Sequence, residues 1–241
     1  EGEECYSVNI NINKAGYESD IEISYKNDEK KKVRINGIPV GKIGELIGNL
    51  NAVIFSPEDL LVIKEGPSER RRFIDITISQ LKPSYFFDLQ QYMKILLQRN
   101  NLLREMRYNR SLGETLDVWN ESLVKTGARV IKVRQEFIRE LSEHTALNHD
   151  RLTKGKENVR LRYSPSVAIE EDAGIKEIEE AFMGILKKTY LREIQICTTL
   201  HGPQRDDYEI LLDGKNIKAY GSQGQQRTAV LSVKLAEIEI M

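Results

Sequence analysis

The sequence predicts an α/β chain, of α+β type within these 241 residues, in which a strand-rich start leads into a helical insertion and then back to mixed structure. Three observations carry that prediction. Apolar residues first recur with period two (Tyr6, Val8, Ile10, Ile12, then Ile21, Ile23, Tyr25), the spacing that turns one face of a strand toward a core. From about residue 57 to 150 the period becomes helical. Near the end, a hairpin signal at Asp213-Gly214 precedes Gly221-Ser222-Gln223-Gly224-Gln225-Gln226-Arg227, a glycine-flanked helix start.

Each element has a local reason. Asn36-Gly37, between Val33-Arg34-Ile35 and Ile38, reads as a tight hairpin turn. Residues 50–55 are a short apolar run, read as a buried strand. Ser56 is an N-cap, Pro57 suits the first helical position, and Asp59 follows Ser56 at capping-box spacing. Pro67 and Pro83 start the next two helices, the second striped by Tyr85, Leu89, Tyr92, Leu96, Leu103 and Met106. A longer helix over about 114–149 carries Leu116, Trp119, Leu123, Val130, Phe137, Leu141 and Leu147. Both stripes read as bundle core, because the sustained heptads of a coiled-coil arm are missing. Val159, Leu161 and Tyr163 alternate as a strand, and residues 175–186 read as a helix. Residues 208–212 and 217–220 flank Asp213-Gly214 as paired strands, and the last helix presents Val230, Val233, Leu235 and Ile238. The division expected is a β-rich part (1–56), a mainly helical part (57–188) and a closing hairpin plus glycine-flanked helix (189–241).

Composition narrows the function classes. Hydrophobic residues at 40% and charged residues at 30% allow both a core and a solvated surface. No run approaches the roughly 18 apolar residues that span a bilayer. Cys5 and Cys197 match no zinc spacing, and His144 and His149, five apart, read as exposed helix residues, so no metal site is expected. A net charge of −1 argues against a uniformly basic nucleic-acid surface. Basic residues do cluster, as Lys94, Arg99, Arg104, Arg107 and Arg110 and as Lys125, Arg129, Lys132, Arg134 and Arg139.

The glycine-flanked loop carries the clearest chemistry. Glycines let a backbone approach a ligand closely. Ser222 can cap the helix behind it. The first amides of that helix lack internal partners and sit at its positive end, which makes an anion site. A plain capped surface helix has the same sequence signature, so the surroundings decide. Arg205-Asp206-Asp207 reads as a turn with a structural Arg–Asp pair, since adjacent carboxylates on an extended chain point to opposite faces. Arg70-Arg71-Arg72 cannot all share one helical face. A solvated face with one ion pair and a phosphate contact are both open for them.

Three blocks, in order, supply the surroundings. The first is Val53-Ile54-Phe55-Ser56-Pro57-Glu58-Asp59-Leu60, continuing through Lys64-Glu65-Gly66-Pro67-Ser68 to Arg70-Arg71-Arg72-Phe73-Ile74-Asp75. The second spans residues 92–103 around Gln98-Arg99-Asn100. The third runs from Thr198-Thr199 through Gly202-Pro203-Gln204-Arg205-Asp206-Asp207 to the glycine-flanked loop and Leu235-Ala236-Glu237. Together they resemble the RecF family of bacterial DNA repair ATPases, of ABC/SMC-like type, over nearly the whole chain. The chain departs from the family pattern at Gln204, where a His is usual, and near Cys197, where a Gly is usual.

The resemblance implies an ABC-ATPase-like head with a β lobe and an inserted helical domain. It implies that Ser222, Gln223, Gly224 and Gln225 form the signature loop, contacting ATP held by a partner subunit. Ser56 and Glu58 fall where the family places its Q-loop, although helix capping explains Ser56 equally well. Arg70, Arg71, Arg72, Arg104 and Arg129 are candidates for DNA or phosphate. The implied cofactors are ATP and Mg²⁺, and the implied partners are DNA at single-strand/duplex junctions, a second copy, RecR and indirectly RecA, in the cytoplasm. No catalytic residue is expected here. Gly37-Ile38-Pro39-Val40-Gly41-Lys42-Ile43 misses Walker A spacing, Gly155-Lys156-Glu157 lacks its partner glycine and hydroxyl, and no Walker B strand is found. The residues from Glu1 to Met241 are therefore read as the middle of a longer protein and expected to be inactive as an ATPase alone. The alternative is a non-catalytic DNA- or partner-binding arm of an SMC-like protein.

Overall fold

The computed structural model describes residues 5–14, 17–27, 29, 31–41, 43–109 and 112–241. Glu1, Lys42 and Arg110, named above, lie outside them. The chain divides into two compact units, Glu1–Ala52 and Val53–Met241. In the first, β1 (Cys5–Lys14) and β2 (Tyr17–Lys26) pair antiparallel along their full lengths, with Ile10 opposite Ile21. β3 (Lys32–Ile35) and β4 (Ile38–Val40) extend the sheet in the order β1-β2-β3-β4. Asn36 and Gly37 both have positive φ, 50° and 76°, as a mirror-image hairpin turn requires. Ile21 and Val33 are buried in this unit, while Tyr6 is exposed and stacks on Tyr25.

The run at 50–55 is a correction: it joins neither sheet, and Ile54 and Phe55 are 74% and 61% exposed. It is the stretch where the chain passes between units, and it ends at Pro57, which offers no N–H for pairing.

In the second unit a 3₁₀ turn at Pro57–Leu60 runs into α1 (Leu61–Lys64), then α2 (Pro67–Leu81) and α3 (Pro83–Met106). Proline occupies the first turn of α2 and of α3, where its missing N–H has no helical partner to lose. α4 (Gly113–Thr153) is 41 residues long. β5 (Val159–Ser164), α5 (Ile175–Ile196), a 3₁₀ turn at Pro203–Arg205, β6 (Asp207–Leu212), β7 (Lys215–Asn216), α6 (Ile217–Tyr220) and α7 (Gln223–Ile240) follow. β5, β6 and β7 form an antiparallel sheet with Val159 opposite Leu212. α3, α5, α7 and β5 all pack on α4. Its buried Leu123, Ile131 and Leu141 belong to one core with Tyr92, Phe182 and Val233. Gly127 makes that packing close: a Cβ there would lie 2.7 Å from Phe182 and 3.0 Å from Tyr92. α4 is thus packed into the core rather than standing free as an arm.

Two buried arginines cross-link this unit. Arg134 of α4 binds both carboxylate oxygens of Asp75 at 2.9–3.0 Å, Tyr85 Oη at 2.9 Å and the Pro203 carbonyl at 2.6 Å, with Asp206 at 3.5 Å. Arg99 of α3 donates to Asn120, Thr199 and Glu193 at 2.6–2.8 Å. The sequence reading set both in basic surface clusters; each is at most 1% exposed. Further corrections concern residues 217–220, which form α6 rather than a strand. Asn216 accepts the Lys218 N–H at 3.0 Å and caps the turn, and Ile217 is buried. His149 is fully buried, not exposed, whereas Leu147 and Ile238 are each 56% exposed. α5 runs unbroken through residue 188. Asp206 and Asp207 do face apart, but their partners are Arg134 and Arg70 rather than Arg205.

Arg134→Met would leave Asp75 and Asp206 without their cation, and removing one partner of a buried pair costs about 3–5 kcal/mol. Urea denaturation should show a loss of that size. Arg139→Met, whose partner Asp172 is 88% exposed, should change stability by less than about 1 kcal/mol.

Candidate functional site

The start of α7 is shaped by Gly221. Its N–H donates to the Ile217 carbonyl at 2.9 Å, closing α6. An added Cβ would sit 2.6 Å from Ile217 Cγ1 and 2.7 Å from the Ile217 oxygen, so the turn requires glycine. Ser222 follows in extended conformation (φ −62°, ψ 161°) and caps α7. Its Oγ accepts the Gln225 N–H at 3.3 Å, and its N–H donates to Gln225 Oε1 at 2.8 Å, completing a capping box. Gln226 latches the back of the loop, donating to the Ile217 and Gly221 carbonyls at 3.2 Å each.

The outward side offers several donors. Ser222, Gln223 and Gly224 are exposed. The Gln223 and Gly224 amides lie in the first helical turn and have no partner within the helix. Because Ser222 Oγ accepts inside the box, its hydrogen is left to donate outward. A Cβ at Gly224 would meet only Ser222 Oγ, at 4.0 Å, so a ligand has room to approach. Two N–H groups, one O–H and the positive end of an 18-residue helix suit an oxyanion such as a phosphate.

Ser56 is brought beside this helix. Phe55, Ser56 and Pro57 line one wall of a groove of about 470 Å³, and Arg227, Thr228 and Leu231 line the other. The Ser56 N–H donates to Asp59 Oδ2 at 2.6 Å, the Asp59 half of the capping box. Glu58 is exposed, and its own N–H, then the Ser56 hydroxyl, hold its carboxyl below the ordinary value.

The candidate arginines separate. Arg70 grips Asp207 with two bonds, at 2.6 and 2.8 Å, and also donates to the Val62 and Glu65 carbonyls. The Asp207 bond raises its pKa above the usual guanidinium range. Arg71 donates to the Asp206 carbonyl at 2.7 Å. Burial, then the neighbouring Arg134 charge, lowers its pKa. Arg72 points to solvent, 3.8 Å from Glu69. Arg104 is exposed on α3, and Arg129 on α4 binds Asp88 at 2.7 Å. Sequence reasoning overlooked Glu157 and His149, which stand directly behind the loop: Glu157 accepts from Gln225 Nε2 at 3.0 Å and faces His149 at 3.2 Å. In the sequence, Glu157 stands in Gly155-Lys156-Glu157, which misses a Walker motif, and His149 is marked only by its spacing from His144.

Gly221→Ala should lower stability by about 1–3 kcal/mol, the usual range for overpacking. Gly224→Ala should be neutral or stabilising by up to about 1 kcal/mol, because alanine favours a helix more than glycine. Thermal unfolding followed by circular dichroism measures both.

No family model matches the chain. A protein of Acetivibrio thermocellus named DNA replication and repair protein RecF is 52% identical over 236 residues, covering 98% of this chain and 64% of its own length. One of the same name from Ruminiclostridium cellulolyticum is 48% identical over 241 residues, covering 100% of this chain and 65% of its own. A solved structure of the recombination mediator protein RecF-ATP in the RecFOR pathway superposes with a TM-score of 0.92 at 37% identity, over 99% of this chain and 64% of that one. A RecF-ATPrS structure gives 0.91 at 36%. The chain thus spans just under two thirds of the length of these relatives. Its fold of helices and antiparallel sheets is that of the ABC-ATPase-like RecF structures, and the chain belongs to the RecF family.

Proposed function

We propose that this chain supplies the signature side of an ATP-dependent dimer interface in a RecF-type recombination mediator. The observation that carries the reading is the set of outward donors at Ser222, Gln223 and Gly224, held by a closed capping box. The bound nucleotide supplies the phosphate charge that would draw a second subunit onto this loop. Ser222 would donate its hydroxyl, Gln223 and Gly224 their amides, and Gln225 would hold the loop in shape. Such preorganised donors stabilise phosphate charge because they need no rearrangement when the ligand arrives. Ser56 lines the groove beside the same helix and Glu58 follows in the adjoining 3₁₀ turn, a place suited to the family's Q-loop. Mg²⁺ and the catalytic carboxylates are carried over from family resemblance, and we assign none of these residues to them.

The ligand class beyond nucleotide is DNA, in the setting of gap repair with RecR and, through it, RecA. In support, Lys94 and Arg104 on α3, Arg107 at its C-terminal cap and Lys125 on α4 are exposed, and Arg129 on α4 is half-buried. Arg99 and Arg134 are withdrawn from that role by their buried pairs.

In a full-length protein carrying these residues, Ser222→Arg places a long cation where a small hydroxyl must meet phosphate. Monomer ATP affinity should stay near wild type, while light scattering shows no ATP-induced dimer and hydrolysis is lost. Normal dimerisation and turnover would reduce Ser222 to a helix cap, whose removal costs only about 0.5–2 kcal/mol.

Reversing Arg104 and Arg129 to Glu should weaken DNA binding and flatten its salt dependence, by a log–log slope of about 1 for each phosphate contact removed. Fluorescence anisotropy at several salt concentrations tests this. Unchanged affinity would make both residues ordinary solvated charges.

A further inference from the structure

The amide of Gln225 has an ambiguity that its own loop cannot resolve. Its oxygen must face the Ser222 N–H to close the capping box. A carboxamide turned by half a revolution would present its NH₂ group there instead and open the box. Nothing in a Ser-x-x-Gln sequence forbids that turn. The structure supplies what does. Gln225 Nε2 lies 3.0 Å from Glu157 Oε1, and a carboxylate only accepts, so only the NH₂ end of the amide can face it.

Glu157 is itself held. α4 ends at Lys154, in left-handed conformation (φ 56°), followed by Gly155 (φ 73°). This reversal returns Glu157 alongside the last turns of α4, where its Oε2 lies 3.2 Å from His149 Nε2. That nitrogen therefore carries the hydrogen. His149 is fully buried, and its Nδ1 is 3.0 Å from Ser232 Oγ on α7. The Ser232 hydroxyl has one hydrogen, which goes either to that unprotonated Nδ1 or to the Thr228 carbonyl 2.8 Å away. α7 is thus gripped twice by one short assembly, at Ser232 in its middle and at Gln225 in its first turn.

We infer that Glu157, held by His149, is a positioning residue for the signature loop. It fixes the orientation of the Gln225 amide, keeps the capping box closed, and so holds the Ser222 hydroxyl and the Gln223 and Gly224 amides aimed outward. The inference rests on the reading of that loop as a phosphate contact, but its structural half is measurable without nucleotide.

Residue-by-residue amide exchange by NMR provides the test on this chain. Glu157→Ala should accelerate exchange at Ser222 and Gln225 by roughly 5–10-fold, the effect of losing one hydrogen bond of ordinary strength. The amides from 230 to 236, deeper in α7, should exchange as in wild type. Glu157→Gln should restore protection: the new amide accepts from Gln225, and His149 moves its ring hydrogen to Nδ1 and donates to Ser232 Oγ. Unchanged exchange at Ser222 and Gln225 in Glu157→Ala would overturn the inference. So would equal acceleration along all of α7, which would make Glu157 a general support. In a full-length protein, Glu157→Ala should also weaken ATP-induced dimerisation while leaving monomer ATP affinity unchanged, and Glu157→Gln should rescue it. A loosened loop with normal dimerisation would uphold the positioning and sink the phosphate reading of the loop.

Discussion

The guanidinium of Arg134 is the interaction on which the larger unit depends. It draws together Asp75 of α2, Tyr85 of α3, the Pro203 carbonyl and Asp206 ahead of β6, segments far apart in sequence. Tyr163 of β5 adds its hydroxyl to Asp206, whose other oxygen accepts the Ser166 N–H at 2.8 Å. Burial alone works against the charge on Arg134, yet the anionic and phenolic oxygens around it hold its pKa well above the ordinary value. Burial also raises the pKa of Asp206, against the pull of Arg134. Arg70 repeats the device one residue along: Asp206 turns inward to Arg134, and Asp207 turns the other way to α2. β6 is fixed to the helical layer on both sides of its first residues, and α6 and α7 follow from β6 through a two-residue strand and a single turn.

That chain of attachments places the loop that opens α7. α7 lies along the second half of α4, and polar contacts stitch the two together. His144 and Asn148 both reach Glu239, at 2.9 and 3.1 Å, and His149 reaches Ser232. On the other side of α7, Glu237 accepts the Thr77 hydroxyl at 2.7 Å, and Lys234 lies over the Phe73 ring. A helix held on two faces can present its first turn without ordering it anew for each ligand. This is the condition under which a few hydrogen-bond donors act strongly on a charged group.

What the sequence made legible was local. Asn36-Gly37, the prolines opening α2 and α3, and the Ser222 cap each act through their own backbone geometry, and each appears where its residues put it. What it hid was tertiary. Arg99 and Arg134 look like surface charge in a helical stripe, because their partners come from residues about 60 to 100 positions away. His149 seemed exposed because its spacing from His144 says nothing of Ser232 and Glu157. The run at 50–55 has strand composition but joins neither sheet of the described residues, and residues 217–220 form a helical turn that Asn216 caps. Cys197 holds the left-handed conformation (φ 55°) that closes α5, a conformation that glycine adopts more readily than cysteine. For the site, the loop was readable and its support was not: Glu157 became visible only when the chain reversal at Lys154 and Gly155 set it behind Gln225.

In the proposed dimer the Ser222 loop faces a phosphate carried by another subunit. A solved structure of the full-length dimer with ATP and a slowly hydrolysed analogue measures this directly. Ser222 Oγ should lie about 2.5–3.0 Å from a terminal phosphate oxygen of the partner's nucleotide, the ordinary range for such a bond. The Gly224 amide should point at the same phosphate, and Gln225 should still be bonded to Glu157. A dimer in which that loop faces solvent, or in which the nucleotide is enclosed without it, would rule out a phosphate-binding role for Ser222.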